Sequence, residues 1–496
     1  MNILLDTNIL IPLEDTGSPL SQELAELKLY SSELKYNLFY HKSQLEDIQR
    51  DKNEMRRTIV ESRWNQYREL PSPPIPNDVE IQKLGWREIK ANDRIDNHLL
   101  FALLRNSCHI LVTNDEGIHT KAANSKIGDR VLRSSQFVAF LKRQRDSRIP
   151  KDLPYGIVLK YLHEFDLADS FFNSLRPTYE GFDSWYNKCA QEQRQAWCLI
   201  NGENKLNGIC IFKEESNPKI ADENPPINGK ALKLCTFKIG EELRGRKFGE
   251  RMLYTAFKYA FENNYDWIYL HTRGPEQKKL TALCLEYGFE KIGKYKMGKD
   301  IDDVFLKPMR PSSTIKTSAI DYAKKFYPHY LDSDDIQKFL VPIRKGFHDQ
   351  IFPDLMEYTL FKDDPAFYTP QSNTIKKAYL CNSKIQRMRV GDLVVFYKTQ
   401  EDQGATCIGI IEEAKHISDV SEIMSLVAKR TVYSQKEIQD MLSTSGSILV
   451  ILFRLLRYFP KTISREKLTS AGILGPIQSI RTISSQSFNT LKSYIQ

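Results

Sequence analysis

A chain of 496 residues, 41% hydrophobic and 27% charged, is too long for a single hydrophobic core, and its length suggests about three domains. Its formal net charge of +8 is concentrated at one end: residues 372–496 carry 17 Lys and Arg against 10 Asp and Glu, which suits phosphate binding or, alternatively, forms a solvated basic face. Eight cysteines without a CxxC pair argue against a zinc site or disulfide framework, and with no apolar run near 18 residues and no signal segment they predict a soluble, cytoplasmic protein without a membrane partner.

The first element in chain order is an apolar strand, "MNILL", followed at once by Asp6. The carboxyl end of a parallel strand is the rim at which open α/β sheets bind ligands, so Asp6 is placed to act; alternatively it caps the following helix. A long polar helical stretch from about Pro19 to Tyr67 follows, then the loop "ELPSPPIPND", the helix "NHLLFALLRN" and the strand "HILVTND". This alternation predicts a parallel sheet flanked by helices.

Between about Pro150 and Pro308 the strands "AWCLINGE", "GICIFKE", "ALKLCTFKI" and "WIYLHT" appear, with the helix "GERMLYTAFKYAFENN" between the last two. The polar stretch "MRPSSTIKTS" reads as a linker. Beyond it "RVGDLVVFYKT", "ATCIGIIEEA" and "SILVILFRLLRYF" predict strands of a small mixed barrel with appended helices.

Asp6 is one of several acids that follow apolar strands or share helix faces. Glu46 and Asp47 lie in "HKSQLEDIQRD", Asp93 and Asp96 sit three apart in "NDRIDNHLLFALL", and Asp115 ends "LVTND". Such a cluster needs a cation to remain ionised, and hard oxygen ligands favour Mg²⁺ or Mn²⁺. Over about residues 1–140, "LLDTNIL", "HKSQLEDIQRDKNEMRR", "RIDNHLLFALL" and "LVTND" resemble the acidic motifs of PIN-domain nucleases in order and spacing. The resemblance implies a metal-dependent endoribonuclease whose catalytic and metal-binding quartet would be Asp6, Asp47, Asp96 and Asp115. Thr7 and Asn8 would orient the first acid, Glu46 could replace Asp47, and Asp93 could be a fifth acid. A metal-bound water of lowered pKa would attack the phosphodiester.

"LCTFKIGEELRGRKFGERML" joins a strand to a helix through a turn rich in Arg, Gly and Lys, and a helix N-terminus is an anion cradle. Over about 150–308 the chain resembles the GNAT acetyltransferases. That likeness implies acetyl-CoA bound by Phe237, Ile239, Arg244, Gly245, Arg246, Lys247, Phe248 and Gly249, with Lys247 standing where the first motif glycine is usual. Many members place a Tyr four residues before the late Gly-Phe pair; here that position, counted from Gly288, is Cys284, while Tyr287 lies on another helix face. Acetyl-CoA binding is therefore expected more firmly than turnover.

"NTIKKAYLCNS", "RVGDLVVFYKT", "AKRTVYS" and "GPIQSIRTI" interleave cations and aromatics. Over about 330–496 they resemble the PUA-like group that includes ASCH and EVE domains. This implies RNA as a partner, with Lys376, Lys377, Lys429 and Arg430 on phosphates and Tyr379, Tyr397 or Tyr433 stacking a base. Alternatively the tyrosines fill the barrel and Gly391 and Gly475 merely form turns.

The expected fold class is multidomain α/β: a PIN-like parallel α/β/α sheet (1–148), a GNAT-like α+β mixed sheet (149–310), and a linker with a PUA-like small β barrel and helices (311–496). The leading expectation is a ribonuclease with an acetyl-CoA module and an RNA reader, by analogy a toxin or phage-defence effector with a possible antitoxin or regulatory partner protein. The alternatives are an N-acetyltransferase acting on RNA-bound or protein amines, and a non-enzymatic RNA-binding regulator.

Overall fold

The computed structural model describes residues 1–14, 20–50, 57, 64, 67–88, 91–145, 156–200, 205–243, 247–273, 277–297, 300–311, 316–355, 375–400, 403–428 and 430–494. By contacts the chain divides into two compact units: residues 1–149 with 416–448, and residues 150–415 with 449–496.

The first unit is built on a parallel sheet of β1 (Asn2–Leu5), β2 (Asn37–Tyr40), β3 (Arg68–Glu69), β4 (Ile110–Val112) and β5 (Val131–Leu132), ordered β3-β2-β1-β4-β5. Ile3, Leu4 and Leu5 are fully buried, as a central strand covered on both faces requires. The helix Ala91–Leu104 sets Ile95, Leu99 and Leu103 on one stripe. Leu99 and Leu103 join Leu4 and Leu111 in one core, each burial contributing about 1.5–3 kcal/mol. From β1 the chain runs outward to β2 and β3, then returns to the other side of β1 for β4. This reversal puts the crevice of the sheet at the carboxyl ends of β1 and β4.

Residues 416–448 complete this unit. Their helices, Val420–Val427 and Gln435–Ser445, are capped by Asp419 and Ser434. Arg430 is 4% exposed and donates to Asp129 at 2.6 Å. The Tyr36 hydroxyl donates to Gln435 at 2.9 Å, and the Gln435 amide donates to Gln144 at 2.8 Å. Arg430 is therefore a structural ion-pair partner, which corrects its expected place on RNA. Replacing it with Ala strands a half-buried carboxylate, so Arg430→Ala should cost about 2–3 kcal/mol in urea unfolding, below the range for fully buried pairs.

The second unit carries two mixed sheets. One comprises β6 (Gly156–Tyr161), β7 (Gln195–Ile200), β8 (Leu206–Ser216), β9 (Lys230–Ile239), β10 (Trp267–Thr272), β11 (Glu290–Met297) and β12 (Asp300–Pro308), ordered β11-β12-β10-β9-β8-β7-β6. The other holds β13 (Lys338–Arg344), β14 (Lys376–Cys381), β15 (Leu393–Thr399), β16 (Gly404–Ile417), β17 (Ile448–Ser464) and β18 (Arg481–Ile483), ordered β14-β17-β16-β15-β13-β18. β14 and β18 are its ends, and among the described residues no ladder joins them, so the expected small barrel takes the form of a six-stranded mixed sheet here. A single core spans both sheets, with Phe257, Tyr287 and Phe305 in the same cluster as Leu340, Val395 and Leu456. No described helix is long and apolar enough to cross a membrane.

Candidate functional site

At the crevice of the first sheet, Asp6 is 5% exposed and its carboxylate is held on three sides. The Thr7 amide and the Asn8 side-chain amide donate to it at 2.6 Å each, and the Thr113 hydroxyl donates at 2.5 Å. Asn8 in turn accepts from the Asn114 amide at 3.1 Å. Asn8 thus holds the Asp6 carboxylate, and Thr113 is a second side chain that does so, one that sequence reasoning missed. Its signal was a polar side chain ending the apolar run "ILVT", beside Asp115.

Thr7 also donates to Asp47 at 3.1 Å, while Gln44 donates to the Leu5 carbonyl and to Thr7. These bonds tie the helix after β2 to the end of β1. Burial, opposed by its hydrogen bonds and reinforced by the charges of Asp115 and Asp47, lifts the Asp6 carboxyl to about 6. Burial, then the charges of Asp6 and Asp115, lift Asp96 to about 7. Burial raises Asp47 too.

The four acids thus share one electrostatic field. Among the described residues, however, no three His, Cys, Asp or Glu side chains stand close enough to hold one ion. Asp115 also caps the helix Glu116–Asn124, accepting from the Ile118 amide at 3.0 Å. Glu46 is paired with Arg94 at 2.7 Å, and Asp93 lies 3.7 Å from Lys121. Asp47 is paired in the same way, with Arg50 at 3.2 Å.

In the second unit, β9 and β10 pair in parallel from Ala231↔Trp267 to Leu234↔Leu270 and then part, although β9 continues to Ile239 and β10 to Thr272. Each keeps its other neighbour: β9 stays on β8 to Ile239, and β10 stays on β12 to Thr272. The wedge between them therefore presents strand edges whose N–H and C=O groups are unmatched across the gap. The helix Phe248–Glu262 starts just beyond β9, opened by Lys247 in the left-handed conformation (φ 61°).

The structure brings Gly249 over the end of β9. A Cβ there would lie 3.4 Å from Leu283, 3.8 Å from Phe237 and 4.0 Å from Ile239. Phe237 and Ile239 thus lie beside Gly249, whereas Arg244, Gly245 and Arg246 lie outside the described residues. Lys247 Nζ stands 3.7 Å from the carboxylate of Glu250, so the extra cation is partly neutralised.

Glu250 was missed by sequence reasoning, although an acid in a basic helix start was its signal. It is buried, and its Oε1 accepts from the Ile375 and Lys376 amides at 2.5 and 3.2 Å. Its neighbour Arg251 pairs with Asp354 at 2.8 Å. Cys284 is fully enclosed in the core, and burial pushes its thiol far up. Tyr287 is equally enclosed, with Arg454 5.3 Å from its ring.

The expected RNA contacts fare differently. Lys377 is 2% exposed, with burial lowering its ammonium to about 8, and Lys376 pairs with Glu286 at 2.8 Å. Lys377 is therefore corrected to a core position, because a phosphate cannot reach it. Tyr397 is buried and donates to Gln403 at 3.1 Å, and Tyr379 donates to the Pro342 carbonyl at 2.8 Å. Tyr433 is buried in the first unit. These rings fill the sheets, which corrects the stacking role given to Tyr397. Lys429 lies outside the described residues.

No family model and no curated protein matches the chain. Among solved structures it is similar to ASCH from Zymomonas mobilis, at 13% identity and a TM-score of 0.25, covering 32% of this chain and 94% of that one. It is also similar to Arabidopsis thaliana NAA60 in complex with acetyl-CoA, at 12% identity and a TM-score of 0.23, covering 30% of this chain and 99% of that one. A third is the NatC complex bound to Gag peptide and CoA, at 16% identity and a TM-score of 0.22, covering 31% and 99%.

Proposed function

We propose that the second unit binds acyl-CoA and transfers the acyl group to an amine. The observation that carries this reading is the parting of β9 and β10 beneath the N-terminus of the helix Phe248–Glu262. An acyl-CoA has a diphosphate, which suits a helix N-terminus, and an amide-bearing arm, which suits unmatched strand edges. In the transfer, the amine nitrogen attacks the thioester carbonyl, the C–S bond breaks, and the amine proton is lost while the thiolate gains one. With Cys284 enclosed, that last proton comes from another group or from water.

Gly249→Glu tests the cradle. A carboxylate about 4 Å from a diphosphate charge costs about 4 kcal/mol at an effective dielectric near 20, roughly a thousandfold in affinity. Calorimetry should therefore show acetyl-CoA binding in the wild type and none in the variant. A wild type that gives no heat at millimolar acetyl-CoA refutes the reading.

The raised carboxyls of Asp6 and Asp96 favour a second activity in the first unit, a PIN-like metal-dependent ribonuclease. As they stand, no three of Asp6, Asp47, Asp96 and Asp115 meet on one ion, so this activity requires the acids to close on Mg²⁺ or Mn²⁺, which would supply a hydroxide and offset charge on the leaving oxygen. Thr7, Asn8 and Thr113 would hold Asp6 for this task, RNA would be the substrate, and a partner protein masking the crevice would restrain it. All eight cysteines are unpaired, and we place the protein in the reducing cytoplasm on that ground.

A further inference from the structure

The connector between β14 and β15 carries Lys384, Arg387 and Arg389, all three exposed to solvent. It has no helix or strand of its own, yet it is fixed at several points. Met388 is buried, the Arg389 amide donates to Asp392 at 2.8 Å, and the amide of Gly391, left-handed at φ 92°, donates to the Ile411 carbonyl at 2.9 Å. With Met388 held in the core, its neighbours Arg387 and Arg389 stay in solvent. Arg387 also reaches β18, donating through Nη2 to the exposed Thr482 hydroxyl at 3.1 Å. The connector and this end strand of the sheet therefore share one face.

That face is without surface counter-charge from its own segments. Residues 365–391 and 467–496 hold no Asp or Glu, and the bond from Arg387 to Thr482 joins the two stretches. The first acid after the connector, Asp392, is 6% exposed and is spent on the backbone, accepting from the Gln337 and Arg389 amides at 3.1 and 2.8 Å. Elsewhere on the chain exposed arginines such as Arg94, Arg105, Arg176 and Arg310 are paired with carboxylates. Among the described residues Lys384, Arg387 and Arg389 have no such partner. Three cations within six residues and no counter-charge form a positive field that a polyanion relieves.

The other side chains of the face identify the polyanion. Asn382, Gln386 and Thr482 are exposed beside the cations, and amide and hydroxyl groups mixed with arginine are what sugar and phosphate oxygens are held by. Val390, 59% exposed, gives a small apolar surface that a ribose or base can cover, far less than an amphipathic element buries in a bilayer.

We propose that this face binds the sugar–phosphate chain of RNA, with Lys384, Arg387 and Arg389 each on a phosphate. The polyanion site stands on these residues; the choice of RNA rests on the ribonuclease reading given above. The phosphate contacts of the C-terminal sheet thereby fall on exposed side chains, in place of the buried Lys377.

The test uses the full chain in EDTA, so that binding is read independently of any cutting. A short single-stranded RNA of mixed sequence is titrated by fluorescence anisotropy over a range of salt. The wild type should bind it. Replacing the three cations together (Lys384→Gln, Arg387→Gln, Arg389→Gln) should weaken binding about tenfold to a hundredfold at low salt and reduce the salt slope by about 2, at roughly 0.7 for each phosphate. A control that removes the same charge from other exposed positions (Lys35→Gln, Lys83→Gln, Lys188→Gln) should change the slope far less. Melting followed by circular dichroism should match the wild type in both; if the first melts early, Lys384→Gln and Arg389→Gln alone decide the matter, each lowering the slope by about 0.7. Binding unchanged in the first variant at every salt concentration, or weakened equally in the control, overturns the face. Binding to vesicles of phosphatidylcholine and phosphatidylserine without binding to RNA overturns RNA as the ligand. RNA bound on this face but left uncut in Mn²⁺ refutes the ribonuclease reading and leaves the face standing.

Discussion

Asp96→Asn should stabilise the metal-free protein at pH 7 and abolish the metal-dependent cutting of RNA proposed for the first unit, two effects in opposite directions from one atom change. Burial and the charges of Asp6 and Asp115 raise the Asp96 carboxyl from 3.8 to about 7. The folded state then holds a proton that the unfolded state releases near pH 4, so stability falls as pH rises from about 4 to about 7. A rise of that size sets a ceiling of about 4 kcal/mol, and relaxation with water entry reduces the effect to about 1–3 kcal/mol. Asn keeps the shape and removes the charge. Urea unfolding of the metal-free variant should accordingly lose the downward slope between about pH 6 and pH 7 and keep the part below about pH 6 that Asp6 contributes. Mn²⁺ should stabilise the wild type by mass action and leave the variant nearly unchanged. A ribonuclease assay with Mn²⁺ and with EDTA completes the test. If Asp96→Asn is less stable than the wild type at pH 7 and still cuts RNA, these acids are ordinary helix and cap residues.

Of the parallel sheet of the first unit, β1 and β4 were legible because each is a short apolar run ended by a polar residue, whereas β2 lies inside the stretch read as one long helix and β3, Arg68–Glu69, is polar. The same pattern pointed to Asp6 and Asp115. What one strand pattern cannot show is which neighbouring groups satisfy a buried carboxylate. Thr113 emerges only when β4 is laid beside β1. The basic C-terminal region misled for a related reason. Lys377 and Arg430 were counted as surface charge, yet one lies over the Phe352 ring, 5.9 Å from its centre, and the other is paired with Asp129. Composition counts cations and is blind to where long side chains end.

Glu250→Ala should be among the most damaging single substitutions in the second unit, and its effect should exceed that of Gly249→Glu on stability while resembling it on acetyl-CoA binding. Glu250 stands in the first turn of the helix Phe248–Glu262, directly after Gly249, and is 3% exposed. Its carboxylate accepts the Ile375 and Lys376 amides at the start of β14, and its charge acts on Lys377 and on the Tyr287 and Tyr327 hydroxyls. Removing it leaves two amides without their acceptor and takes away a counter-charge from fully buried Lys377, a loss of about 3–5 kcal/mol. Glu250→Gln keeps an acceptor for the amides and loses the charge, so it should cost less, about 1–3 kcal/mol. The ordering wild type, Gln, Ala in urea midpoint is the first readout. The second is calorimetry with acetyl-CoA on the Gln variant, which remains folded. The start of the helix is anchored to β14 through Glu250 and to Asp354 through Arg251, so loosening the first anchor should weaken the cradle while the residues proposed to touch the nucleotide stay in place. Equal midpoints for wild type and Glu250→Ala would mean that β14 is held by its ladder to β17 alone. The acyl-CoA cradle and the C-terminal sheet would then be neighbours without energetic coupling.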